Sequence, residues 1–269
     1  MLGVSLGASA VFALLSLLRA LTGPVSLAHS KATLNGSYAP GRPWLDLAFQ
    51  LASVGSGVVP ALLAVHLLRR GLPIGEVPAG TVAGGDVTAG TAPDRDGPVG
   101  RGLARLELPL IGLDRSRLQA DLGWASLLAI GIGVPGLLLY LAAHALGMSA
   151  TVVASGLPAV WWRIPVLVLS AVMNATLEEV VVVGYLLTRL GELGWRPRWA
   201  LAASAVLRGG YHLYQGFGAF LGNAVMGLVF GTFFQRSRRV VPLIVAHALL
   251  DIVAFVGYTA LHGRVSWLP

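Results

Sequence analysis

The chain has 269 residues, 55% of them hydrophobic and only 12% charged, with a mean hydropathy of +0.75. A soluble domain carries about 25% charged residues, so these proportions exclude a water-soluble globule and point to an integral membrane protein. The net charge of +7 sits at the ends of apolar blocks rather than in a patch, which speaks for topology signals and against a nucleic-acid partner; the absence of cysteine excludes disulfides and thiolate metal sites.

Seven apolar segments are expected as membrane helices, an all-α polytopic bundle. The first, Leu2–Leu21, lacks a basic n-region and a small-residue cleavage site and reads as a retained helix. The second is Trp44–Leu68. Residues 1–70 thus form an N-terminal helical pair. Gly71 to Gly100 follows with eight Gly and four Pro and no apolar periodicity, expected as a solvated linker. The next stretch, "LARLELPLIGLDRSRLQADLGW", mixes Arg and acids with Leu and Ile and is expected to lie along the membrane surface, closing a cytoplasmic region of residues 71–121. Residues 122–269 hold the remaining segments: Leu122–Leu146, Pro165–Leu190, Ala200–Leu213, Phe217–Phe234 and Val240–Leu261. The fifth segment is too short to cross ~30 Å of hydrocarbon unless it starts below the surface or bends. Gly209, Gly210 and Gly216 mark where a break would fall.

Arginines orient the bundle. Arg69, Arg70, Arg95, Arg101, Arg105, Arg115 and Arg117 lie between the second and third segments. Arg189, Arg196 and Arg198 follow the fourth, and Arg236, Arg238 and Arg239 follow the sixth. With seven crossings these regions share one side, which places the N-terminus in the cytoplasm and the C-terminus outside. Trp44, Trp124, Trp161, Trp162, Trp195, Trp199 and Trp267 fall at or near segment ends, as an aromatic belt requires.

The fourth segment contains "NATLEEVVVVGYLL", with Glu178 and Glu179 inside an apolar run. An ionisable side chain near the bilayer centre costs about 2.5–3.5 kcal/mol, so it needs a partner or a purpose. The fifth segment offers Arg208 and His212 in "AVLRGGYHLYQG". The seventh offers His247 and Asp251 in "VAHALLDIV", four apart and on one helical face. All lie roughly 10–20 Å inside the membrane at 1.5 Å per residue. Adjacent acids on a helix point about 100° apart, so one can face a cavity and handle water while the other anchors an imidazole or the Arg208 guanidinium. A carboxylate can act as general base toward water, and an imidazole can donate a hydrogen bond to a developing oxyanion. The residue types fit hydrolysis of an amide by activated water. Asn174, four residues before Glu178, and Asn223 in the sixth segment are supporting candidates. "GLVFG", Gly227 to Gly231, has the spacing of a close helix contact.

The set resembles the CAAX protease and bacteriocin-processing family, also called CPBP or Abi, which includes the type II CAAX prenyl endopeptidases. Its hallmarks are Glu-Glu-x-x-x-Arg, Phe-x-x-x-His and His-x-x-x-Asn/Asp motifs on successive membrane helices. Glu178-Glu179, His212, and His247 with Asp251 match them, over about Pro165 to Gly257. The resemblance implies that Glu178 activates the attacking water with help from His212. It implies that His247 and Asp251 support the oxyanion, Asp251 alternatively orienting His247, and that Glu179 is structural or steers a neighbouring His. The implied substrate is a peptide or lipidated protein held in the bilayer. Two positions depart from the pattern: the motif Arg falls at Val183 and the motif Phe at Arg208. We therefore expect the guanidinium to reach the Glu pair from the fifth helix.

Three other readings compete. Zinc on Glu178, His212, His247 and Asp251 would be chemically suitable, but no His-Glu-x-x-His occurs and the hydrolase reading requires no cofactor. A proton-coupled transporter would use the same residue types, but no repeated halves accompany them. A catalytically silent immunity or assembly partner would keep the motifs without the chemistry. The Arg-over-Lys bias suits a bacterial plasma membrane.

Overall fold

A computed structural model describes residues 7–24, 26–70 and 111–265. The expected Gly/Pro-rich linker, the first part of the interfacial stretch after it, and Trp267 lie outside the described residues. Among the described residues the chain forms seven continuous helices: α1 (Ala8–Thr22), α2 (Pro43–Arg69), α3 (Leu118–Ala145), α4 (Arg163–Glu192), α5 (Pro197–Tyr211), α6 (Phe217–Ser237) and α7 (Val241–Leu261). Prolines open α2, α5 and α7, where a missing N–H costs nothing. Five helices, α2, α3, α4, α6 and α7, are long and apolar enough to cross a membrane. The seven expected apolar helices are all present among the described residues. α5, as its segment length suggested, has 15 residues, about 22 Å at 1.5 Å per residue and short of a bilayer core; α1 is a shorter apolar helix over its described residues.

The break after α5 does not fall at Gly209–Gly210, which stay helical. It falls at the 3-10 turn Leu213–Gln215 and at Gly216, whose φ of +108° and 2.6 Å clearance between a would-be Cβ and the Met148 carbonyl admit glycine alone. This turn docks on the loop after α3, through Ala150 N–H to the Gln215 carbonyl and Phe217 N–H to the Met148 carbonyl, both 2.9 Å. The same end of the bundle holds a feature that a purely helical reading misses. Strand β1 (Lys31–Thr33) pairs in parallel with β2 (Thr151–Val153), joining the loops before α2 and before α4.

The opposite end gathers the arginine-bearing helix termini. Arg189 of α4 donates to the Leu67 carbonyl of α2. Arg239 grips Asp121 of α3 with bonds of 2.9 and 2.7 Å and also reaches Asp114. Val240 N–H meets the Ile111 carbonyl at 2.8 Å.

α4 is the central helix: 56% of its apolar window is buried, against 33% or less for the other four spans. Val180 to Val183 are all at most 1% exposed, because a helix surrounded by helices has no polar face. Gly227 and Gly231 of α6 lie against α5. A Cβ on Gly227 would sit 3.0 Å from Ala205 Cα, and one on Gly231 would collide with Leu201. Small residues there bring the two backbones together. One tryptophan leaves the expected belt: Trp162 is 2% exposed and packs with Val166, Leu167 and Phe255.

Candidate active site

The fourth helix changes character at the two acids. Arg163–Glu178 is α-helical, and Glu179–Tyr185 is a π turn before α-helix resumes at Leu186. A π turn adds a residue to the loop of each hydrogen bond, and such insertions gather at functional sites. The 100° separation expected for neighbours on a regular helix therefore does not apply across Glu178 and Glu179. Four consecutive β-branched valines, poor helix formers, occupy the turn.

Glu179 is fully buried. Its Oε1 accepts from Arg208 Nη2 and, at 2.8 Å, from Nδ1–H of His247. Arg208, projecting from α5, is also fully buried. Its Nη2 donates to Glu178 Oε2 at 3.2 Å and lies 3.0 Å from His247 Nδ1. With two hydrogens on Nη2, both go to the carboxylates, and the close approach to His247 sets two donors around one acceptor. The guanidinium lies over the Phe230 ring, 5.5 Å from its centroid, a cation–π contact from α6. Gly227 leaves room for its stem, a would-be Cβ standing 3.3 Å from Arg208 Cδ.

Glu178 is different. Its side chain is 13% exposed, and Oε2 accepts from Arg208 and, at 2.7 Å, from the Tyr211 hydroxyl. The Tyr211 ring lies 4.7 Å from the His212 ring. His212 donates Nδ1–H to the Arg208 carbonyl at 2.9 Å, which leaves Nε2 as its acceptor. On α7, His247 Nε2 stands 3.8 Å from Asp251 Oδ1, and the Asp251 side chain is 22% exposed. The interior of the cluster is thus Glu179, Arg208 and His247, and its open face carries Glu178, His212 and Asp251.

Arg208 reaches the Glu pair from α5, while Val183, at the motif's Arg position, is fully buried in the π turn. The supporting residues behave otherwise than expected. Asn174 makes no hydrogen bond to Glu178; its amide lies beside Asp251. Asn223 donates to the Ala219 carbonyl of its own helix at 3.0 Å and does not join the cluster. Tyr211 and Phe230 are the contributors that the motif pattern leaves out. Tyr211 is three residues after Arg208 and so on the same helical face, the one signal that points to it. As for zinc, among the described residues no three His, Asp or Glu side chains converge as metal ligands. Glu179 and His247 Nδ1 are instead turned toward the guanidinium.

The model of the family described as type II CAAX prenyl endopeptidase Rce1-like matches residues 159–253, a span that begins just before α4 and includes Glu178, Glu179, Arg208, His212, His247 and Asp251. Neither the curated proteins nor the solved structures give a match.

Proposed function

Because residues 159–253 are a domain of the Rce1-like type II CAAX prenyl endopeptidase family, we propose that this integral membrane protein is a glutamate-dependent endopeptidase, cutting a peptide whose apolar or lipid-bearing part lies in the bilayer. One observation carries the reading: of two adjacent carboxylates, Glu179 is closed upon Arg208 and His247 while Glu178 is partly open beside Tyr211 and His212.

In this mechanism Arg208 and Tyr211 hold Oε2 of Glu178, so Oε1 takes a proton from water as the water oxygen bonds to the scissile carbonyl carbon. His212 Nε2 accepts a hydrogen bond from the water's other O–H, which stays on the oxygen, and aligns the attack. The charge arriving on the carbonyl oxygen is met by Nε2–H of a His247 imidazolium, which Glu179 stabilises from the far side and Asp251 orients. When the C–N bond breaks, Glu178 passes its proton to the departing nitrogen. The products are a new carboxyl terminus and a free amine. Glu179 touches no reacting atom; it positions Arg208 and His247. The scheme requires no metal.

The same proposal sets the arginine-bearing helix ends in the cytoplasm. The N-terminus is then inside, the C-terminus outside, and the site opens toward the cytoplasm of a bacterial plasma membrane. The test is cleavage of an internally quenched lipopeptide by the purified chain. Wild type should cut it, and Glu178→Gln should not, at a melting temperature within a few degrees of wild type. Equal cleavage by both overturns the reading. Binding of the lipopeptide without any cleavage by the wild type favours the silent-partner alternative, to which Val183 in place of the motif arginine lends some weight.

A further inference from the structure

Along the flank of the bundle, away from the carboxylate cluster, a groove of about 760 Å³ runs between the first turns of α3 and the last turns of α6. Trp124 and Leu128 form one wall, Leu228 and Phe233 the other. Trp124 and Phe233 meet edge to face, with 5.6 Å between centroids. Trp124 and Leu228 are 51% and 42% exposed, so the groove faces the surroundings of the bundle and not its core. From the charged rim to its deep end it measures about 12 Å along α6 and about 16 Å along α3, close to the half-thickness of a ~30 Å hydrocarbon core.

The rim carries three arginines against one aspartate. Arg239 is neutralised within the fold, its guanidinium bound to Asp121 and Asp114. Arg117 and Arg236 stand exposed, one from each wall, and among the described residues neither guanidinium has an ion pair or hydrogen bond. Among the described residues, two guanidinium groups without a carboxylate partner therefore sit above an apolar slot one leaflet deep. Phosphate is the anion that guanidinium forks match, and basic pockets between membrane helices take lipid headgroups.

We propose that this groove holds one acyl chain of an anionic phospholipid from the leaflet at the arginine-bearing end, its phosphate bound between Arg117 and Arg236. The occupant belongs to the bilayer and is distinct from any peptide cut at Glu178.

The full chain, purified in mild detergent, is titrated with phosphatidylglycerol or with phosphatidylcholine of matched acyl chains, and bound lipid is counted by native mass spectrometry. Wild type should prefer phosphatidylglycerol. At about fivefold per arginine near the surface, R117Q/R236Q should lose roughly 30-fold in that affinity, while its phosphatidylcholine binding, whose choline already offsets the phosphate charge, falls by less, so that the preference disappears. Leu228→Trp, which fills the slot and leaves both arginines, should also lower phosphatidylglycerol binding. A second measurement spares the arginines: phosphatidylglycerol with brominated chains should quench the fluorescence contributed by Trp124, isolated by difference from Trp124→Phe, more than brominated phosphatidylcholine does. Equal binding of the two lipids by wild type overturns the proposal, as does a preference that survives R117Q/R236Q. Loss of preference in R117Q/R236Q with undiminished phosphatidylglycerol binding in Leu228→Trp also overturns it, since the arginines would then act as a surface field without the groove.

Discussion

Arg208→Met asks the most of the proposed site. The substitution keeps most of the stem packed against Gly227 but deletes the guanidinium that lies over Phe230, reaches Glu178 at 3.2 Å and also contacts Glu179. Glu179, fully buried, is left with the His247 bond alone. Removing one partner of a buried ion pair costs about 3–5 kcal/mol, because the survivor is an uncompensated charge. His247 can supply part of the missing positive charge, so the lower end applies. A loss of ~3 kcal/mol corresponds to a melting temperature lower by about 6–12 °C for a chain of this size. Adding Glu179→Gln removes the stranded charge. The double variant should therefore recover at least ~1 kcal/mol relative to the sum of the single changes. Thermal unfolding in one detergent, followed by tryptophan fluorescence, measures all four members of the cycle, and lipopeptide cleavage is read in parallel. R208M and R208M/E179Q should both be impaired in cleavage, since neither restores the donor to Glu178. Additivity within about 0.5 kcal/mol would show that Arg208 and Glu179 act independently, and the guanidinium-centred site would be wrong. An active R208M beside an inactive Glu178→Gln would end the idea that α5 supplies the arginine of the motif.

Glu178→Gln should lower kcat by about 10²–10⁴, the range for loss of a general base, and should leave the melting temperature within a few degrees; a large stability loss with residual turnover would make Glu178 a structural group. Tyr211→Phe removes the 2.7 Å bond to Glu178, a bond to a charged group worth about 1.5–3 kcal/mol, so kcat should drop tenfold or more; an effect on KM alone would count against a role in holding the carboxylate. Gly227→Ala would set a methyl 3.0 Å from Ala205 Cα and 3.3 Å from Arg208 Cδ, and the overpacking should cost about 1–3 kcal/mol. Gly222→Ala, facing Leu139 at 3.4 Å, is the control, expected to melt close to wild type. Asp114 titrates at about 2 instead of 3.8, held down by the Ser116 hydroxyl and N–H and then by Arg239. A depressed carboxylate stabilises the fold above its ordinary value and loses that contribution as pH falls through the interval to the folded value. Melting temperature against pH should therefore steepen downward between about 4 and about 2, and Asp114→Asn should flatten that limb; identical profiles would separate Asp114 from the clamp on Arg239.

The spans are readable from sequence because a bilayer admits few solutions: about twenty apolar residues per helix, with arginines and aromatic residues at the ends. The shared depth of Glu178, Arg208, His247 and Asp251 follows from the same counting at a fixed rise. What the counting cannot carry is azimuth. It assumes one helical period throughout, and the turn from Glu179 to Tyr185 departs from that period where the two acids diverge. Four valines buried on every side offer no amphipathic stripe from which to read the change. The amides go astray for a related reason. Asn174 shares a face with Glu178 by spacing but lies beside Asp251, and Asn223 satisfies itself on its own helix, a choice open to any short polar side chain in hydrocarbon. Strands of three residues, as in β1 and β2, carry too little pattern to register at all.

Arg208 shows what such a reading can still reach. A motif is written as spacing along the chain, but a carboxylate responds to charge in space, and an arginine stem is long enough to deliver that charge from a neighbouring helix. Val183 and Arg208 are therefore legible together and misleading apart. Val183 alone looks like a lost residue, and Arg208 alone looks like a charge stranded in lipid. The contact of Arg208 with Glu179 and its 3.2 Å approach to Glu178 join the two departures into one arrangement. A chain with arginine returned at position 183 and Arg208→Phe tests that arrangement directly. If the location of the charge in space is what matters, V183R/R208F should keep more activity than R208F alone. If V183R/R208F is no better than R208F, the placement of Arg208 on α5 has been built into this site in a way that spatial equivalence does not capture.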